Sequence, residues 1–243
     1  METSAFSNNN IPQSNNNVNN GILPTINNMQ NSEKNTNKIL NPNEIKKEME
    51  FFTFEKFKQF LSVIDDVTWI TLFNILFCCG IRQGEMQALN WNDIDFKNGT
   101  ISINKTLTTK LKGEKWSLFP PKTKSSYRVL PSTNQLKYQL KLLYNMQCNL
   151  DDFNSNWFVF GRTRPIPEST IQARKNSYCK KANVKQIRIH DFRHSCVSLL
   201  ILKNADPVLV AKYLGHTDVS MTLNRYYHMY KSKLDEIIKL IEN

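Results

Sequence analysis

The sequence predicts an α+β domain, mainly α-helical, with a small three-stranded antiparallel sheet. Three observations predict it. Helical periodicity or helix punctuation fills residues 54–90 and 133–241. Three short strand-like pieces lie between those stretches, within residues 100–130. Glycine occurs 7 times in 243 residues, too rarely for a sandwich of many tight turns.

Residues 1–45 stand apart. Fifteen of them are Asn, interleaved with Ser, Thr and Pro. Burying so polar a segment returns less than the entropy of ordering it costs, so it is expected to be disordered. The folded domain is expected to span residues 46–243. Thr53 is a suitable N-cap for a helix over Phe54–Ile64. A mostly apolar helix follows from Val67 to Cys79, and Gly80 fits its C-terminal cap. A short amphipathic helix covers Gln83–Asn90, and Asp93-Ile94-Asp95 leads into a turn at Lys97-Asn98-Gly99. Thr100–Asn104 alternates polar and apolar residues; Trp116–Phe119 and Tyr127–Leu130 bracket a Lys/Thr/Ser turn. Pro120 and Pro121 confine the middle piece to a short or edge strand. The remaining segments, Thr133–Cys148, Glu168–Lys181, Asp191–Lys203, Pro207–Leu214, Ser220–His228 and Ser232–Ile241, read as helices. Asp206-Pro207 is a helix start and Gly215 a stop.

The formal net charge is +11. In residues 1–45, Lys34 and Lys38 face Glu2, Glu33 and Glu44, so the first 45 residues carry −1 and the rest +12. A basic folded body points to a polyanion, with nucleic acid first among them. Cys78, Cys79, Cys148, Cys179 and Cys196 are odd in number and none forms CxxC, which reads as core thiols of a reduced, cytoplasmic protein. The longest apolar run, Val67 to Ile81, contains Thr71 and Asn74 and is too short to span a bilayer, so no membrane partner is expected.

Several clusters carry potential chemistry. In His190-Asp191-Phe192-Arg193-His194, His190 and Arg193 are three apart and share a helix face. A guanidinium and an imidazole together suit a phosphate: one binds its oxygens, the other exchanges a proton near neutral pH. Zinc at His190 and His194 is the competing reading, but HExxH glutamate and third ligand are both missing from the motif. Leu214-Gly215-His216 precedes Tyr226 by ten residues. Arg82 and Glu85 flank a helix start, and Lys122-Thr123-Lys124 forms a basic turn. Taken alone, His190 and Arg193 are more often surface residues, His216 is a polar cap, Tyr226 a core aromatic, Arg82–Glu85 an ordinary ion pair and the lysine turn a solvated hairpin tip.

In order and spacing, five stretches resemble the catalytic domain of the tyrosine recombinase (phage integrase) family. They are Gly80–Glu85 with Leu89–Asp95, Lys122–Pro131, His190–Ser195, Leu214–Thr217 and Thr222–His228. The resemblance covers residues 50–240. It implies that Arg82 and Arg193 clamp the scissile phosphate of double-stranded DNA. By the same resemblance Lys122 protonates the leaving 5′-oxygen, His190 assists proton transfer, His216 bonds the phosphate, and Tyr226 attacks to form a 3′-phosphotyrosyl bond. Glu85 supports the site from behind. Tyr227 and Tyr230 compete with Tyr226 by proximity, and Lys124 with Lys122, but the family offsets favour Tyr226 and Lys122.

That chemistry is physically coherent. A phosphodiester repels nucleophiles, and two arginines neutralise the charge that builds in its transition state. Tyrosine, with a free pKa of about 10, needs a cationic pocket or a base. The covalent intermediate conserves bond energy, so the resemblance implies no metal, ATP or other cofactor. It further implies a DNA integrase or recombinase of a mobile element that self-associates on DNA, with accessory bending or directionality factors; the amphipathic segment Ser232–Ile241 is either the helix that docks on a neighbouring subunit or a last helix packed on its own core. Family members carry a core-binding domain ahead of the catalytic one, and the Asn-rich segment cannot form it. The alternative expectation is therefore a shortened, non-catalytic DNA-binding or regulatory fragment.

Overall fold

A computed structural model describes residues 50–109 and 115–231, with the side chains of Arg225 and of residues 227–231 excepted. The Asn-rich segment and the helix expected at Ser232–Ile241 lie outside the described residues.

Helix α1 (Phe54–Leu61) starts where the Thr53 hydroxyl accepts from the Lys56 amide, and it buries Phe57 and Phe60. Helix α2 (Val67–Cys78) starts at Asp66, whose carboxylate accepts from Thr68 N at 2.7 Å. It is buried on nearly every side, as its apolar run demands. Its one buried amide, Asn74, donates to Gln139 of α4 (Asn134–Cys148) at 2.8 Å, so the core keeps no cost from it.

Helix α3 (Gln83–Ala88) and helix α6 (Ile189–Leu202) begin by the same device. An arginine precedes the first turn, and an acid three residues later accepts its backbone N–H: Glu85 from Arg82 at 2.8 Å, Asp191 from Arg188 at 2.8 Å. Sequence reading started α6 two residues late, at Asp191, because Arg188 is not a usual capping residue. The aromatic core fixes the phase of α6. Phe192 has no exposed surface and meets Phe52, Phe57, Phe60 and Phe73 at ring distances of 5.4–6.2 Å. With Phe192 turned inward, the helical repeat turns His190, Arg193, His194 and Val197 together toward one cavity.

A three-stranded antiparallel sheet is present, in the order β1 (Ile94–Asp95), β2 (Thr100–Ile103), β5 (Arg128–Pro131). Ile101 pairs with Ile94 on one side and Leu130 on the other, and Ile101, Ile103 and Leu130 are buried. Membership of the sheet differs from the sequence reading. The piece near Trp116–Phe119 does not pair with the Tyr127–Leu130 piece. As β4 (Ser117–Phe119) it pairs with β3 (Thr106–Thr108) in a separate two-stranded ribbon. Pro120 and Pro121 lack N–H donors and fix φ, so the chain leaves the ribbon there instead of closing a hairpin. Lys122 therefore sits in the link between two sheets, not on a turn within one. Gly84 lets α3 lie against β3: a Cβ there would stand 2.6 Å from the Leu107 carbonyl oxygen.

Helices α5 (Glu168–Lys181), α7 (Pro207–Leu214) and α8 (Ser220–Lys231) complete the fold. Val197 and Ile201 of α6, Val210 and Leu214 of α7 and Tyr226 of α8 form a second, smaller core. It locks onto one another α6 with His190 and Arg193, α7 whose end precedes His216, and α8 with Tyr226.

Candidate active site

Two neighbouring cavities hold all six residues singled out from sequence as chemical. Arg82, Lys122 and His216 line the first, with Glu85, Thr123 and Gly215. Arg82, His190, Arg193, His216 and Tyr226 line the second, with His194 and Asn224. Arg82, His216 and Met221 line both. Lys122 lines the first of these two cavities, and Lys124 lines neither.

Arg193 is the most firmly held of the set. Its side chain is buried, and its two terminal nitrogens donate to the Gly80 carbonyl at 2.6 Å and the Leu214 carbonyl at 2.9 Å. Gly80 ends α2 at φ +57, and a Cβ there would meet Leu214 Cδ2 at 2.8 Å, which is why glycine occupies that approach. Burial, and then the charge of Arg82, push the Arg193 guanidinium down to about 9, so it stays protonated at neutral pH. Guanidiniums crowded in this way are relieved when an anion binds.

Arg82 is about two-fifths exposed and gives one side-chain N–H to Glu85 Oε1 at 2.9 Å. Glu85 is buried and also holds Arg128, with contacts of 2.9 Å and 3.2 Å. Burial alone would raise the Glu85 carboxyl. Hydrogen bonds and charge from Arg128, then the Arg82 amide and charge, outweigh burial and hold it below its ordinary value.

The Tyr226 hydroxyl lies 2.5 Å from His194 Nδ1, and both side chains are buried. The rings of His190 and His194 meet edge to face, 4.7 Å apart. His216 Nδ1 lies 2.8 Å from the buried Thr222 hydroxyl on the first turn of α8, which aims the rest of the imidazole at the cavities. The side chains of Tyr227 and Tyr230 lie outside the described residues.

Sequence reading missed two residues, His194 and Arg128. His194 stands four residues after His190, so both were on one helix face, but only a metal was considered for the pair. Arg128 and Leu130 alternate onto the same, inward side of β5. An inward arginine demands a buried acid, and that demand was legible. Cys78, the last residue of α2, and Cys196 of α6 are held as neutral thiols: burial pushes Cys78 up to about 11 and Cys196 to about 12.

Residues 50–233 match the model of the phage integrase family. The chain belongs to that family. Among curated relatives, the ICEBs1 integrase of Bacillus subtilis is 34% identical over 209 residues, covering 82% of this chain and 55% of that protein. The integrase of Staphylococcus phage L54a is 28% identical over 171 residues, covering 67% of this chain and 48% of that one. This chain thus spans about half the length of these relatives. Among solved structures, the Tn1549 transposon integrase in complex with a circular intermediate DNA aligns with a TM-score of 0.67 at 20% identity, covering 80% of this chain and 68% of that one. The tyrosine recombinase catalytic fold expected from sequence is the one observed. No helix among the described residues is long and apolar enough to cross a membrane.

Proposed function

We propose that this chain performs the chemical step of site-specific DNA recombination for a mobile genetic element, with Tyr226 as the nucleophile. The observation that carries the reading is the division of the site. Tyr226 and Lys122 line different cavities, and Arg82 and His216 line both. An in-line displacement at phosphorus needs nucleophile and leaving group on opposite sides of a charge-stabilised phosphate.

In this reading, a DNA phosphate is bound by Arg82 and His216, which line both cavities, and by Arg193. The Tyr226 oxygen bonds to phosphorus and its proton leaves toward the His190–His194 pair. The bond from phosphorus to the 5′-oxygen breaks, and Lys122 supplies the proton that oxygen takes up. The product is a 3′-phosphotyrosine and a 5′-hydroxyl. Attack by a 5′-hydroxyl of the same or another strand reverses the step and releases the tyrosine. Removing one charge-stabilising donor from such a site typically costs on the order of 10²–10³ in rate.

Double-stranded DNA as the partner is supported by the +11 charge and by the Tn1549 integrase, whose solved complex contains DNA. The mobile-element context is supported by relatives named as phage, prophage and transposon integrases. Self-association on DNA and accessory bending or directionality factors belong to the same proposal.

The test is to incubate the protein with nicked suicide duplexes, without metal or ATP, and follow the covalent adduct. Wild type should form one and Tyr226→Phe none. An adduct that survives the substitution overturns the nucleophile. Tight, salt-sensitive DNA binding with no adduct on any duplex favours a binding module instead.

A further inference from the structure

We propose that Arg128 is the positioning residue of this site: it occupies Glu85 so that the charge of Arg82 remains available to a phosphate. The proposal rests on the reading that Arg82 binds the scissile phosphate, and it concerns a side chain that lines neither cavity.

The geometry is that of a hub. The Arg128 side chain is 6% exposed. Its Nη1 and Nη2 meet Glu85 Oε1 and Oε2 at 3.2 Å and 2.9 Å. The Nη1 also donates to the Ser126 carbonyl at 3.0 Å, and Nε donates to the Tyr213 carbonyl at 3.0 Å. One guanidinium therefore ties together the start of α3, which carries Arg82, the link that carries Lys122, and the end of α7, which precedes His216. The approach is close: a Cβ on Gly215 would stand 3.0 Å from Arg128 Nη1.

The charge count gives the second half of the argument. Arg82 and Arg128 both bind a single carboxylate, Glu85, and the buried Arg193 feels the charge of all three. Glu85 accepts four N–H groups on its two oxygens, two from Arg82 and two from Arg128. Its acceptor sites are saturated, and Arg82 spends only one side-chain N–H on it. Without Arg128, the buried carboxylate keeps Arg82 as its nearest counterion. The Arg82 fork then closes on Glu85, because a buried unpaired carboxylate is costly. The cluster loses one of its net positive charges, and the remaining one is drawn away from the phosphate.

Charge and geometry separate experimentally. Arg128→Met removes the charge; Arg128→Lys keeps it but cannot reach the carboxylate and both carbonyls together. Two readouts apply to each: inorganic phosphate binding by ³¹P line broadening, and single-turnover adduct formation on a suicide duplex. Arg128→Met should weaken phosphate binding about tenfold and slow adduct formation by on the order of 10²-fold. Adding Glu85→Gln to Arg128→Met should restore most of the phosphate affinity, since no buried carboxylate then competes for Arg82. Arg128→Lys should bind phosphate nearly as wild type yet form adduct more slowly. A double variant that binds phosphate no better than Arg128→Met while remaining folded overturns the proposal and leaves Arg128 a simple brace. Wild-type phosphate binding in Arg128→Met overturns it as well. If the phosphate results hold but no variant, wild type included, forms an adduct, then the recombinase reading fails and the role of Arg128 stands.

Discussion

Replacing His194 with Ala and Tyr226 with Phe, singly and together, isolates the contact that holds the proposed nucleophile. The two atoms lie 2.5 Å apart, and the side chains are 5% and 2% exposed. Water is therefore a poor substitute partner for either group. A typical net hydrogen bond contributes about 0.5–1.5 kcal/mol, and a buried polar group robbed of its partner costs about 1–3 kcal/mol. Burial of both ends puts the coupling between the two side chains at about 1–2 kcal/mol. Tyr226→Phe removes the hydroxyl and keeps the ring in the small core with Val197, Ile201, Val210 and Leu214. Its cost should lie close to the coupling itself, which for a domain of this size lowers Tm by about 2–4 °C per kcal/mol. His194→Ala should cost more, because it also deletes the ring packed edge-on to His190. Urea unfolding of the four proteins gives the coupling directly. Costs that add within about 0.5 kcal/mol would refute the contact. On suicide duplexes, His194→Ala should slow adduct formation while leaving DNA affinity nearly unchanged, since the hydroxyl is no longer aimed.

Phe192→Ala, at the centre of the aromatic core, should cost about 3–5 kcal/mol in urea unfolding; a loss below 1 kcal/mol would mean that Phe192 does not set the phase of α6. The Glu85 carboxyl is held below its ordinary value of 4.5, so its stabilising contribution is complete above that pH and is lost as pH falls through the lower folded value. Glu85→Gln should accordingly cost stability at pH 7 and progressively less below about pH 4, seen as a flatter acid limb in a pH series of urea midpoints. Lys122→Ala should regain adduct formation on a duplex whose scissile 5′-oxygen is replaced by sulfur, which leaves without a proton; Arg82→Ala should not, because phosphate charge is unaffected by that change.

The helical part of the fold was legible because it rests on local rules. Val67–Cys78 is apolar on every face and is the buried central helix; Pro207 and Gly215 bracket α7 as residue types that start and stop helices. The sheet was less legible. Nothing local to Ser117–Phe119 states that its partner is Thr106–Thr108 and not the strand after the double proline, since pairing is decided across the fold. The site divides in the same way. Arg82, Lys122, His190, Arg193, His216 and Tyr226 became candidates because five stretches resemble the family's catalytic domain in order and spacing. His194 and Arg128 were not, because their significance comes from partners 32 and 43 residues away in the chain. Periodicity exposes which side of an element a residue faces. It does not expose what waits there.

The end of α7 shows why so many separate segments nevertheless agree on one geometry. A helix finishes with four carbonyls that its own ladder cannot satisfy. Here the chain turns at Gly215, in the left-handed region at φ +70, and two of the four are taken by backbone: Lys212 by the Gly215 amide at 3.1 Å and Ala211 by the His216 amide at 3.0 Å. The other two, on Tyr213 and Leu214, are taken by Arg128 and Arg193. Two guanidiniums thus cap the negative end of the helix, which favours them electrostatically as well as geometrically. Because each arginine grips main chain, it fixes the position of Gly215-His216 whatever side chains α7 presents to solvent. Each also reaches a second element: Arg193 the Gly80 carbonyl ahead of Arg82, Arg128 the Glu85 carboxylate behind it. His216 and Arg82, which line both cavities, are therefore positioned by the same pair of buried cations. A substitution that shifts the end of α7 should move His216 and Arg82 together, even if it touches neither residue.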